Sequence, residues 1–247
     1  MSTDKPMGIL AKAADVTELL AARGPLGPAD IADEVNMPRS SVYRLADALG
    51  QAQLTETMAD SRIHLTLRWL RLADAARASV TEWNQARTVL DDLAETTGQT
   101  AFLSLPRGDE AVCLDWARGR AINVLILKPG RSLPLYAGAA GRVTLAFRDE
   151  GPDDYLTRAP FSELTPGTLT TAAELRRDIA ETRDRGFSIS DEDVTIGIGA
   201  LGAPLRSGAR HFRGALSIAG LAEDFRGRRD DLAAALLASA RELIPLD

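Results

Sequence analysis

The chain has 247 residues, of which 45% are hydrophobic and 26% charged, with a formal net charge of −6. That composition belongs to an ordinary folded protein, long enough for one or two domains and a sizeable core. No run approaches the ~18 uninterrupted apolar residues of a membrane helix, and the opening MSTDKPMGIL lacks the basic and apolar regions of a signal peptide. Cys113 is the sole cysteine, which excludes an internal disulfide and a zinc cluster. The expectation is a cytoplasmic protein with no membrane partner, no metal and no cofactor.

Ile9, Ala13, Val16 and Leu20 recur at helical spacing, predicting an amphipathic helix over 8–23 that Arg23-Gly24-Pro25 ends. Residues 26–50 then read as two short helices joined by a tight turn. Pro28 suits a first helical turn, where a missing N–H costs nothing. Ile31, Ala32 and Val35 share one apolar face, and Asn36-Met37-Pro38 breaks the helix because the residue before a proline is pushed out of the α region. The next helix turns Val42, Leu45 and Leu49 inward. Arg39, Ser40, Ser41, Tyr43 and Arg44 are left outside near its N-terminal end, where a recognition helix carries its base-reading residues. Leu54–Thr57 and Ile63–Thr66 alternate around the polar turn 58–62, so three helices are followed by a hairpin: a winged helix-turn-helix. Arg62 lies beside the wing tip, where an arginine touches phosphate or the minor groove, or else is a solvated turn residue.

Charge complicates a nucleic-acid reading. Residues 1–80 carry 9 Lys/Arg and 10 Asp/Glu, a balance of −1, whereas 35–71 carry five arginines against three acids, a balance of +2. Local basic surface makes the phosphate contacts, and acidic surface elsewhere weakens non-specific binding.

Residues 67–81 are helix formers suited to a connecting helix, and a helix near 82–96 places Trp83, Ala86, Leu90 and Leu93 on one side. Strand-like runs follow at 100–105, 111–115 and 121–127. Helical patterns near 138–148, 171–185 and 228–244 then alternate with strand-like runs at 199–206 and 212–219. This order predicts an α+β domain with a mainly antiparallel sheet and helices packed on it. The expected division is 1–67 for the winged helix, 68–81 for the linker helix and 82–247 for the second domain.

Little else offers chemistry. Cys113 has neither His64 nor His211 near it in sequence, so it reads as a buried strand residue rather than an activated thiol. Asp191-Glu192-Asp193 lacks calcium-loop spacing and reads as a solvated loop or an acidic lip. The GAAGR segment at 138–142 lacks the lysine and hydroxyl of a phosphate loop. Arg226, Arg228 and Arg229 read as an exposed segment leading into a helix. No nucleophile–base pair converges, so an enzyme is not expected.

The segments ADIADEVNMPRSSVYRL (29–45), LPLYAGAAGR (133–142), RDRGFSISDEDVTIGIGALGAPL (183–205) and ALSIAG (215–220) resemble the IclR family of bacterial transcriptional regulators, in order and at family-like spacing. The resemblance covers nearly the whole chain. It implies a winged helix-turn-helix joined by a linker helix to a GAF-like effector-binding domain, a regulator acting on double-stranded operator DNA as a homodimer or dimer of dimers. It also implies a pocket for a small acidic effector, carried over residue by residue onto Leu125, Leu133, Ala139, Ala140, Ser190, Ile198, Ala200, Ser217 and Ala219. The residues themselves agree in part. Gly138-Ala139-Ala140-Gly141 opens a helix almost without side chains, so its free N–H groups can approach an oxyanion, and Ser217 adds a hydroxyl. The same small residues also suit close helix–sheet packing. Ser190 and Ala219 stand where glyoxylate-type members carry an acid and a second serine, Ala200 replaces a cysteine, and Tyr136 takes a place often held by histidine. These departures suggest a roomier, less polar pocket for a larger or aromatic acid. The other reading left open is a non-catalytic small-molecule sensor whose winged helix mediates protein contacts.

Overall fold

The computed structural model describes residues 8–83, 85–120, 127–207 and 211–243. The chain divides into two compact units, Met1–Ser79 and Val80–Asp247. In the first, helices α1 (Gly8–Arg23), α2 (Pro28–Glu34) and α3 (Arg39–Gln51) precede a hairpin of β1 (Thr55–Thr57) and β2 (Ile63–Leu65), and α4 (Arg68–Ala78) follows. Val16 and Leu20 of α1, Ile31 and Ala32 of α2, Val42, Leu45 and Leu49 of α3, and Ile63 of β2 bury one another in a single core. This is the helical spacing of the sequence realised as packing. Between α2 and α3, Asn36 takes the left-handed conformation at φ 48°, which asparagine tolerates better than most residues. Leu26 exchanges two backbone hydrogen bonds with Ile63, adding a third short stretch to the wing. Trp69 Nε1 donates to Leu54 O at 2.8 Å and Arg68 Nη1 to Ala52 O at 2.7 Å, so the start of α4 is tied to the hairpin. Beyond that, α4 buries no residue, and Leu67, Leu70 and Leu72 are exposed.

In the second unit, Trp83 is buried as expected but sits in a 3₁₀ turn, Thr81–Trp83. Helix α5 starts later than the periodicity suggested and covers Ala86–Thr97. Strands β3 (Thr100–Arg107), β4 (Glu110–Ala117) and β5 (Ser132–Pro134) come next, with α6 (Gly138–Phe147), α7 (Asp153–Leu156) and α8 (Ala172–Arg185) after them. Strands β6 (Ser188–Asp191), β7 (Ile198–Ser207) and β8 (His211–Leu221) lead to α9 (Ala222–Gly227) and α10 (Arg229–Glu242). The predicted strand over 121–127 falls outside the described residues except for Leu127, which is buried.

All six strands β3–β8 form one sheet in the order β5-β4-β3-β8-β7-β6, antiparallel throughout. Alternation divides its residues between two faces. Ala101, Leu103, Leu201, Ala203, Leu216 and Ile218 pack under α5 and α10. The opposite face, with Ala215 and Phe212, packs under α6 and α8. Helix α8 starts on a full capping box, Thr171 with Glu174, and ends on Gly186 in the left-handed region.

Candidate functional site

Strand register assembles the site on the α6 face of the sheet. Ser190 pairs with Ala200 and Ala200 with Ala219, so these three small residues form one row across β6, β7 and β8. Gly202, Ser217 and Phe102 form the adjacent row. The first turn of α6 lies directly over them. A Cβ on Gly202 would stand 2.6 Å from the carbonyl oxygen of Ala139, so only glycine lets the helix start come down this far. A cavity of about 60 Å³ remains between sheet and helix. Leu133, Ala139, Ala140, Ser190, Ile198, Ala200, Ser217 and Ala219 all line it, which brings together eight of the nine pocket residues named from the sequence. The ninth, Leu125, lies outside the described residues. Phe102, Leu127, Gly138, Val194 and Thr195 also line the cavity. Alternation along β3 places Phe102 on this face, but which strand lies beside β3 was not legible.

Tyr136 is not among the residues that line the cavity. Its ring stacks on Phe161 at 4.7 Å, and Phe161 stacks on Tyr155 at 5.0 Å. Tyr155 accepts the Tyr136 N–H through a phenol that burial pushes up to about 12.

The polar end of the cavity is the α6 N-terminus, where first-turn N–H groups have no partner within the helix. Gly138 starts the helix at φ 70°, a left-handed conformation that disfavours a side chain. Its N–H donates to Asp193 Oδ2 at 3.0 Å, and Ser190 Oγ donates to Asp193 Oδ1. Arg142 Nε lies 3.5 Å from Asp193 Oδ2 without hydrogen-bond geometry, so that contact is ionic. Arg142 also reaches Asp178 at 3.3 Å, and Asp178 reaches Arg185 at 3.6 Å. Burial pushes the Asp178 carboxyl above its ordinary range, and the two arginines pull it back.

The acidic run is thus not uniform. Asp193 is buried, whereas Asp191 and Glu192 are held from outside by Arg226, at 2.7 Å for Asp191 Oδ1. Thr168 Oγ1 donates to Asp193 O and Thr165 Oγ1 to Glu192 O, fastening the segment that brings Val194 and Thr195 to the cavity. Arg226, exposed as expected, is a clamp on that segment.

In the first unit, Arg39, Ser40, Tyr43 and Arg44 are exposed along the start of α3, and Ser41 is half-buried. Arg62, in the hairpin turn, pairs its Nε with Asp60 at 2.7 Å, and this hydrogen bond holds the Asp60 carboxyl below its ordinary range. Cys113 is buried. Among the described residues no group of three His, Cys, Asp or Glu side chains could hold a metal ion, and no helix is long and apolar enough to cross a membrane.

A winged helix-turn-helix with a polar helix face, in one chain with a sheet domain that holds a ligand-sized cavity, is the plan of a transcriptional regulator with its own effector domain. The comparisons agree. The profile of the IclR helix-turn-helix domain matches residues 9–57, and that of the bacterial transcriptional regulator IclR C-terminal domain matches 78–244. The HTH-type transcriptional regulator Rv1719 of Mycobacterium tuberculosis is 34% identical over 239 residues, covering 93% of this chain and 88% of the relative. Among solved structures, an IclR-type regulator from Silicibacter sp. TM1040 is 28% identical with a TM-score of 0.79, covering 96% of this chain and 94% of that one. An IclR homologue of Microbacterium hydrocarbonoxydans, solved with 4-hydroxybenzoate, shares the fold at 20% identity and a TM-score of 0.73, covering 95% of this chain and all of that one. The chain belongs to the IclR family of bacterial transcriptional regulators. It is a DNA-binding regulator with a C-terminal effector domain, in a family of regulators rather than enzymes.

Proposed function

We propose that this regulator binds a palindromic operator as a dimer or dimer of dimers, and that a small carboxylic acid in the sheet–α6 cavity modulates it. The carrying observation is the cavity itself: apolar walls, two serines, and the N-terminus of a ten-residue helix at its edge. Such a terminus favours an anion through its N–H groups and its dipole. A protein of this fold was solved with 4-hydroxybenzoate, an aromatic acid. On DNA, Arg39 and Arg44 would contact phosphate or guanine edges, and Ser40, Ser41 and Tyr43 would set register or read bases. Arg62 would reach phosphate or minor groove by exchanging Asp60 for the nucleic acid. Exposed Ile9, Leu10, Leu67, Leu70 and Leu72 support self-association through α1 and α4.

The net charge of −6 and the internal pairing of Arg62 favour one other reading, a sensor whose winged helix meets protein instead. A gel shift on the DNA upstream of the chain's own gene separates the two: a discrete, competitor-resistant complex supports the operator reading, and its absence supports the other. A thermal-shift screen of carboxylic acids tests the cavity, since a ligand at ~100 times its Kd adds ~2.7 kcal/mol.

A further inference from the structure

Ser190 stands on the cavity wall, in the row with Ala200 and Ala219, and donates its hydroxyl hydrogen to Asp193 Oδ1. A hydroxyl has one donor and two acceptor lone pairs, and an ionised carboxylate has acceptors alone. The other oxygen of Asp193 takes the Gly138 N–H at 3.0 Å and faces Arg142 Nε at 3.5 Å. In the Ser190–Asp193 contact the hydroxyl is the donor and the carboxylate oxygen the acceptor. What Ser190 turns toward the cavity is lone pairs.

We infer that Ser190 is a specificity-determining acceptor that makes the cavity prefer a compact hydroxy-carboxylate over the corresponding keto acid. The inference rests on the reading of this cavity as the effector site. A ligand hydroxyl can donate to Ser190 Oγ, whereas a keto oxygen meets it acceptor to acceptor and leaves both unsatisfied. The geometry also limits ligand length. A single carboxylate, that of Asp193, bridges Ser190 and the first N–H of α6, so the two polar ends of the cavity are one such group apart. An acid whose carboxylate takes the next N–H groups of α6 would present a hydroxyl to Ser190 from the adjoining carbon or the one after it. That length agrees with the cavity of about 60 Å³. A regulator built this way responds to the reduced member of a hydroxy/keto pair and not to the oxidised one.

The test uses the full-length protein and calorimetric titration with lactate, pyruvate and propionate at one pH. Lactate should bind about tenfold more tightly than pyruvate, the cost of one mismatched buried hydrogen bond. Asp193→Asn keeps an oxygen for Gly138 and turns an amide N–H toward Ser190. That frees the hydroxyl to donate into the cavity, and the lactate-to-pyruvate preference should fall to about one or reverse. Ser190→Cys, a weak acceptor at the same place, should bring it within about threefold even if the Asn variant fails to fold. Pyruvate bound as tightly as lactate by the unaltered protein, or a preference unchanged in the folded variants, overturns the role of Ser190. If Ala140→Leu abolishes that binding, the cavity reading stands while this inference falls. Lactate binding that ignores Ala140→Leu, or no binding of any of the three acids, overturns both.

Discussion

Asp193 accepts the N–H of Gly138 at 3.0 Å, so a carboxylate of the chain's own occupies the start of the helix that borders the cavity. This is a helix cap delivered from 55 residues away rather than from the preceding residue, since Ala137 at the N-cap has no side-chain oxygen. It caps the first N–H of α6, and Ala139 and Ala140 line the cavity beyond it. Removing it should be costly. Asp193→Ala would leave Arg142 short of one buried partner and Ser190 and Gly138 without an acceptor. A loss of about 3–5 kcal/mol is expected, read as a lower denaturant midpoint at unchanged slope. A loss below about 1 kcal/mol would mean that the contact is incidental.

Bulk at the centre of the cavity should exclude ligand and spare the fold. Ala140→Leu adds three heavy atoms where Ala140 is buried against the cavity. The overpacking would cost about 1–3 kcal/mol, which a unit of this size tolerates. The variant should still bind its operator but no longer respond to effector in a gel shift. Ser217→Ala should act in the same direction more gently, by the ~0.5–1.5 kcal/mol of one hydrogen bond. A normal effector response in Ala140→Leu would place the ligand elsewhere.

Arg44 is exposed on α3 beside buried Leu45, so its removal changes surface and not core. If it reads guanine, Arg44→Ala should weaken operator binding by about 1–3 kcal/mol and relax specificity at one position. If it touches phosphate instead, affinity should fall alike for every sequence and the salt slope by about one unit. Binding unaltered in both respects removes Arg44 from the interface.

The apolar residues that α4 leaves uncovered bear on assembly. Sedimentation at micromolar concentration, without DNA, should give a dimer or larger. Leu70→Glu should shift the equilibrium toward monomer, because Leu70 is 64% exposed and contributes nothing to the core of its own unit. A monomeric unaltered protein would count against self-association through this surface.

Acid should loosen the segment carrying Val194 and Thr195. The Arg226 hydrogen bond, with the Gly197 N–H, holds the Glu192 carboxyl below its ordinary value of 4.5. A carboxyl lowered in the folded state contributes stability above that ordinary value and loses it as pH falls through the folded one. Hydrogen-exchange protection of residues 191–197 should therefore drop as pH falls below about 4.5, and Arg226→Gln should show low protection already at neutral pH. Equal protection in the variant would show that the two threonines hold the segment without Arg226.

The first unit was legible because its signals are local. Val42, Leu45 and Leu49 repeat at helical spacing, Asn36-Met37-Pro38 supplies the break, and the strands flank a five-residue turn, so neighbours in sequence settle each element. The IclR-like motifs added eight residues of the cavity lining, and no periodicity would have named them. Asp193 shows where such reading stops. In the run Asp191-Glu192-Asp193 all three acids look alike, and only tertiary structure buries the third while leaving its neighbours to Arg226. Its burial depends on Gly138, Arg142, Thr168 and Ser190, which reach it from two separate elements and a loop. The row of Ser190, Ala200 and Ala219 likewise exists only through the register of three strands, and Gly202 sets the depth of the cavity through a helix more than sixty residues earlier in the chain. Local sequence dictates periodicity; the partners of a buried polar group are chosen by the packing of distant segments, which no window of the sequence contains.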